Sequence, residues 1–162
     1  MAANWLYYVA SFGVIFISLV TAKCSDCGLS WHRTNGNCYL MVEEPKSFWN
    51  AEAYCQRLSR LGRESHLVSI ADQQEEDAVE AYAQLSGHST IWIGYEKDPV
   101  VGDGLVYRWT DGSPSVVYEA WAGGEPSGNG EDCGSLRNGH QWNDRGCDNP
   151  YPFICEMRGK NV

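Results

Sequence analysis

A chain of 162 residues is long enough for one domain with a substantial core, and seven tryptophans and nine tyrosines supply large side chains to fill it. The net charge of −9 excludes an ordinary nucleic-acid binder, because neutralising phosphates takes clustered Lys and Arg that this chain lacks; an acidic chain suits cations instead. No low-complexity tract or repeat period is present.

The first segment differs in kind from the rest. From Trp5 to Val20 there is no charged side chain, and Val20-Thr21-Ala22 places small or short residues where a signal peptidase cuts. This predicts a secretory signal over residues 1–22 and a mature chain over 23–162. The apolar run falls short of the roughly 20 residues a spanning helix needs, so no membrane span is expected after cleavage. A secreted, extracellular protein is the expectation. There, Cys24, Cys27, Cys38, Cys55, Cys133, Cys147 and Cys155 read as disulfide material, and an odd number leaves one over. A rival reading takes Cys24, Cys27, His32 and Cys38 as C-x2-C-x4-H-x5-C, one residue off a zinc-knuckle spacing; in a secreted acidic chain disulfides are the better account.

Next comes a strand-like GNCYLMV. The run SFWNAEAYCQRL then sets Phe48, Ala51, Cys55 and Leu58 at helical spacing, with Ser47 as N-cap. A second helix is expected to start near Asp72, whose carboxylate can cap it while Glu75 supplies the reciprocal contact. Glu75, Glu76 and Asp77 favour its positive end, and Gly87 should stop it. Beyond it lie short aromatic and β-branched pieces: TIWIG, LVYRWT closed by the turn Asp111-Gly112, HQW and PFICEM. Between Gly112 and Gly139 the chain has little periodicity; a loop region that long in a compact domain is usually functional or disordered, and Trp121 and Cys133 inside it argue for order.

Inside that region EPSGNGEDC, Glu125 to Cys133, crowds three carboxylates into nine residues ahead of HQWNDRGC. Together with WNAEAYC, HLVSI, WIG, WTDGS, WND and FICE, taken in order over residues 27–156, it makes the chain resemble a C-type lectin domain. The resemblance implies an α+β fold with two helices, small antiparallel sheets and a long calcium-binding loop region. It implies bonds Cys27–Cys38, Cys55–Cys155 and Cys133–Cys147, leaving Cys24 for an interchain bond in a homodimer.

Calcium takes six to eight oxygen ligands, and Glu125, Ser127, Glu131, Asn143 and Asp144 are oxygen donors. The resemblance assigns this set to a calcium whose shell two neighbouring sugar hydroxyls complete, with Pro126 cis. Ser127 stands where the family usually has asparagine or aspartate, which weakens coordination and removes an amide donor. Gly128 stands where an auxiliary-calcium carboxylate can occur, so that site is not expected; Asp98, Asp103 and Asp132 are its remaining candidates and read better as surface acids. Ser69, Glu75 and Glu156 mark where some relatives hold a structural calcium. Trp92, Trp109, Trp121 and Trp142 are expected in the core. His32, His66, His88 and His140 fall in no catalytic motif, so no enzyme is expected. The expected function is calcium-dependent carbohydrate binding. Glu125 leans slightly toward mannose, glucose or fucose over galactose. The alternative is a lectin-fold, toxin-like or matrix module that binds protein.

Overall fold

The computed structural model describes residues 27–60, 62–101, 104–115 and 117–159. The expected signal segment and Cys24 lie outside the described residues. In chain order the elements are β1 (His32–Thr34), β2 (Asn37–Lys46), α1 (Phe48–Gln56), β3 (Ser65–Leu67), α2 (Gln73–Leu85), β4 (Thr90–Lys97), β5 (Tyr107–Trp109), β6 (Cys133–Arg137), β7 (Gln141–Arg145) and β8 (Tyr151–Met157). The strands run β1-β2-β8-β4-β6-β7, with β3 added to β8 and β5 to β4. All pairs are antiparallel except β4–β8, which touch in parallel at Trp92 and Phe153 and join the antiparallel groups. Among the described residues no helix is long and apolar enough to cross a membrane.

Strand β8 sits at the centre because its middle is apolar on both faces: Phe153, Ile154, Cys155 and Met157 are all fully buried. Helix α1 lies on one side, with Phe48, Ala51 and Cys55 packed toward Leu67, Trp92 and Phe153. On the other side Val79 and Ala83 of α2 join Ile91, Ile93, Trp109, Trp142 and Ile154. Three disulfides hold these layers: Cys27–Cys38, Cys55–Cys155 and Cys133–Cys147. With Cys27 bonded to Cys38, the zinc-knuckle spacing has no thiolate pair to offer a metal.

Both helices follow the expected starts, with differences at their caps. Ser47 has extended N-cap geometry, but its hydroxyl accepts from Asn50 Nδ2 at 2.8 Å instead of bonding a backbone amide. Asp72 caps α2 by accepting from Glu75 N at 2.9 Å. Glu75 turns back one residue further than a capping box would take it, accepting from Ala71 N at 2.9 Å and from the Tyr39 hydroxyl at 2.8 Å. At the far end Gly87 takes φ of +79°, the left-handed turn that ends a helix and that glycine adopts without a Cβ penalty.

Helix α1 also buries a carboxylate. Glu52 accepts from Leu67 N at 2.9 Å and Thr110 Oγ1 at 3.1 Å, and lies 2.7 Å from His66 Nδ1. That hydrogen bond raises the His66 pKa above 6.5, against the opposing effect of burial. A histidine with a raised folded pKa holds its proton more tightly when folded. Its stabilisation is therefore complete below 6.5 and is lost as pH rises through the raised value. Urea unfolding of the wild type and His66→Gln across pH 5–9 should show a gap that narrows upward through this window. The gap should stay under about 1 kcal/mol because the ring is partly solvated.

Candidate functional site

The loop carrying Glu125 hangs from the outer edge of β7, the last strand of the sheet. Ala122 N donates to Trp142 O at 2.8 Å, and Glu125 N to Ala122 O at 2.9 Å. Glu125–Pro126 is cis. The chain then turns through Gly128, whose φ is +78° and where an added Cβ would sit 2.6 Å from Leu105 Cδ2, so only glycine fits without displacing that side chain. Glu131 N closes the turn on Gly128 O at 2.7 Å. Strand β6 starts two residues later and pairs with β7 so that Gly134 faces Asp144 and Ser135 faces Asn143. Cys133–Cys147 ties the two strands together beside the loop. The fold thus brings Glu125, Ser127, Glu131, Asn143 and Asp144 into one loop-and-strand unit.

Asp144 is its hub. It is fully buried. Its carboxylate accepts from Ser127 N at 3.1 Å, Gly128 N at 2.7 Å and the Tyr107 hydroxyl at 3.2 Å, and its backbone carbonyl accepts from Asn143 Nδ2 at 2.8 Å. Ser127 Oγ donates to Glu131 Oε2 at 3.1 Å. Burial pushes the Glu125 carboxyl up, reinforced by a hydrogen bond and like-charge repulsion from Asp144. Burial would push Asp144 up too, but the Gly128 and Ser127 amides and the Glu125 hydrogen bond outweigh it and hold its carboxyl below the usual range. A hydrogen bond between two carboxyls requires a proton on one of them, so Glu125 and Asp144 share one proton and a single negative charge, with the proton on the Glu125 side.

Glu125 Oε2 is buried and has no hydrogen-bond partner. Such an atom is costly to bury unless something positive or proton-bearing faces it. Among the described residues no three His, Cys, Asp or Glu side chains are gathered as a ready cage. The donors are instead two glutamates and an aspartate supplemented by a hydroxyl, an amide and a carbonyl. An all-oxygen set of this kind suits a hard cation such as calcium, and the orphaned Glu125 oxygen fits that group.

Among the described residues the other acidic candidates already have partners. Lys97 Nζ lies 3.6 Å from Asp132, and Arg108 Nη1 lies 3.8 Å from Asp98, so side-chain cations neutralise two of the auxiliary-site candidates. Asp103 lies outside the described residues. Glu156 is buried and accepts from Ser69 N at 3.2 Å, Ser69 Oγ at 3.1 Å and Asn37 Nδ2 at 2.8 Å; Asn37 also reaches Glu75 at 3.3 Å. Arg158 Nε stands 3.7 Å from Glu156 and 3.3 Å from Asp111. Burial pushes the Glu156 carboxyl up to about 8, with Glu75 adding to the rise and Arg158 opposing it. An amide and a guanidinium occupy the neighbourhood of Ser69, Glu75 and Glu156.

Sequence reasoning missed the support behind β7. Glu76 is fully buried on α2 and accepts from Trp142 Nε1 at 2.6 Å and from the Tyr118 hydroxyl. Glu80 beside it pairs with His140 Nδ1 at 2.8 Å, so His140 is half-exposed but not unengaged. Trp142 precedes Asn143, and Glu76 fixes the ring next to the site. A signal was present: Glu76, Val79, Glu80 and Ala83 lie at i, i+3, i+4 and i+7, so the two glutamates share the inward face of α2.

The model of the Lectin C-type domain matches residues 44–157. The chain belongs to this family. A C-type lectin of Micrurus corallinus is 36% identical over 151 residues, covering 89% of this chain and 91% of that protein. The Snaclec EMS16 subunit alpha of Echis multisquamatus is 33% identical, covering 91% and 94%. The mouse scavenger receptor C-type lectin carbohydrate-recognition domain, a solved structure, superposes with a TM-score of 0.70 at 33% identity, covering 84% of this chain and 99% of its own. C-type lectin domains are generally carbohydrate-binding modules rather than enzymes, and many bind calcium. The three disulfides together with these relatives point to the extracellular space.

Proposed function

We propose that this C-type lectin binds a monosaccharide unit through one calcium ion held by Glu125, Ser127, Glu131, Asn143 and Asp144, with two vicinal sugar hydroxyls completing the shell. The observation that carries the reading is the buried, partnerless Glu125 Oε2 in a carboxyl that neighbours Asp144. When bound, calcium supplies a positive centre onto which sugar hydroxyls can coordinate. Glu125 and Glu131 accept from those hydroxyls and Asn143 donates to them, which orients the ring. Tyr107, whose phenol is pushed up by burial and then by Asp144, stays protonated and braces the Asp144 carboxylate.

Mannose, glucose or fucose is slightly favoured over galactose. Ser127 blurs the choice because its hydroxyl can donate or accept. Here it is turned to Glu131 and leaves the ligand side without an amide donor. Titrating mannose and galactose against the wild type and Ser127→Asn, with calcium and with chelator, tests both points. Binding should require calcium, and the variant should gain about 0.5–1.5 kcal/mol for mannose, the value of one net hydrogen bond. Chelator-insensitive binding, or no binding to any sugar, overturns the reading.

A second reading, a lectin-fold module that binds protein, is favoured by the similarity to a snaclec subunit and by the exposed Leu105, whose side chain lies beside Gly128 of the loop. It predicts failure of every sugar titration. We further infer that two chains pair through Cys24 close to the mature N-terminus, which would add avidity to a shallow site. Non-reducing gels of the mature protein should show a dimer that Cys24→Ser removes; a monomer in both samples ends the idea.

A further inference from the structure

We propose a second sugar subsite in the groove beside Trp49, taking the next residue of the oligosaccharide whose terminal unit the calcium holds; the inference rests on the proposed function. Phe48 and Trp49 are consecutive in the first turn of α1 but differ in fate. Phe48 is fully buried, while Trp49 is 52% exposed with its ring edge-on to Phe48 at 5.0 Å. The ring borders a groove of about 470 Å³, whose other walls include Glu96, Asp98, Arg108, Asp132 and Cys147. That volume lies within the range of about 300–1,000 Å³ typical of small-molecule sites.

The lining chemistry narrows the occupant. A pyranose has a face of C–H groups, which seeks an apolar plane, and a rim of hydroxyls, each both donor and acceptor. Trp49 offers the plane. Around it Arg108 is held 2.9 Å from the buried Glu96 and 3.8 Å from Asp98, and Lys97 lies 3.6 Å from Asp132. Donors and acceptors therefore alternate along the groove, fixed in place by their own pairing. An anion would meet more carboxylates than cations, and a cationic peptide would find the carboxylates already paired. A neutral sugar, needing both kinds of partner, fits both constraints.

The groove is also in register with the calcium loop. Asp132 follows Glu131 in sequence, and its carbonyl accepts from Lys97 N at 2.8 Å. Cys147 of the groove is bonded to Cys133, the first residue of β6. The groove wall therefore begins at Asp132, the residue next to Glu131.

The test is calorimetric titration of methyl α-mannoside and a linear mannotriose into the wild type, Trp49→Ala and Trp49→Phe in calcium. The wild type should bind the triose more tightly than the monosaccharide. Trp49→Ala should lose about tenfold for the triose, the affinity equivalent of covering about 60 Å² of apolar ring, and nothing for methyl α-mannoside. Trp49→Phe should retain most of the gain. A wild type that binds methyl α-mannoside but gains nothing from the triose overturns the subsite and leaves the calcium reading standing. Equal losses for both ligands in Trp49→Ala, or no loss for either, overturn it as well. If the wild type takes only galactosides, methyl β-galactoside and a linear galactotriose carry the same comparison. If no sugar binds in calcium, the calcium reading fails and the subsite falls with it.

Discussion

Asp144→Ala is expected to abolish calcium-dependent sugar retention, by more than about 100-fold, while the chain stays folded. The carboxylate does two things at once in this molecule. It holds the amides of Ser127 and Gly128, which shapes the turn after Pro126, and it supplies charge beside Glu125. Alanine removes both and leaves those amides and the Tyr107 hydroxyl without an acceptor. Each such buried donor costs about 1–3 kcal/mol unless water reaches it, so some loss of stability accompanies the loss of function. Asp144→Asn separates the two roles. It keeps the volume and one acceptor oxygen while deleting the charge, so it should retain stability better than alanine and still lose calcium. Sugar retention on a column, with calcium and then with chelator, reads the result. Chelator-insensitive retention by Asp144→Ala would sink the mechanism.

The second large effect concerns stability. Cys55 and Cys155 are 100 residues apart in sequence and pin α1 to the central strand β8. Closing a loop of that length is expected to contribute about 4–5 kcal/mol through the unfolded state, against about 3 kcal/mol for a loop near the 14-residue separation of Cys133–Cys147. Replacing Cys55 and Cys155 together by alanine should therefore lower the unfolding free energy in urea by about 4 kcal/mol. It should cost more than the same change at Cys133 and Cys147. The reverse order would mean that the bonds act through local packing instead of chain entropy. The Cys133–Cys147 change has its own signature, a weakened calcium loop in a chain that is still largely stable.

Much of this arrangement was readable before any coordinates. Asp72 and Gly87 bracket α2 because a capping carboxylate and a positive-φ glycine are local signals. The order of EPS, EDC and WND placed the loop residues together, and the cis Glu125–Pro126 bond followed from the same resemblance. What escaped were the contacts made by charged residues that the fold turns inward. Glu52, Glu76, Glu80 and Glu96 are each buried, and nothing in a single glutamate tells whether it faces water or a tryptophan N–H. Likewise the partners of Asp98 and Asp132 come from β5 and the end of β4, brought there by strand pairing. Strand β6 was also missed, because Cys133–Arg137 has no alternating pattern; four of its five residues are buried.

The pairing of Lys97 with Asp132 and of Arg108 with Asp98 has a consequence for how the protein would respond to its surroundings. A loop that needs two or three ions to order itself loads them cooperatively, and its affinity for ligand switches on over a narrow span of calcium concentration. Here tethered cations already neutralise Asp98 and Asp132, at a fixed ratio that no chelator can change. Occupancy of the one proposed site would rise as a simple hyperbola with a Hill coefficient of one. Capture of ligand would then be graded with calcium across roughly two decades of concentration, a dimmer and not a threshold. Sugar binding by the Cys24→Ser monomer measured against free calcium would show this directly, since in a single-site chain a steeper curve requires a second ion.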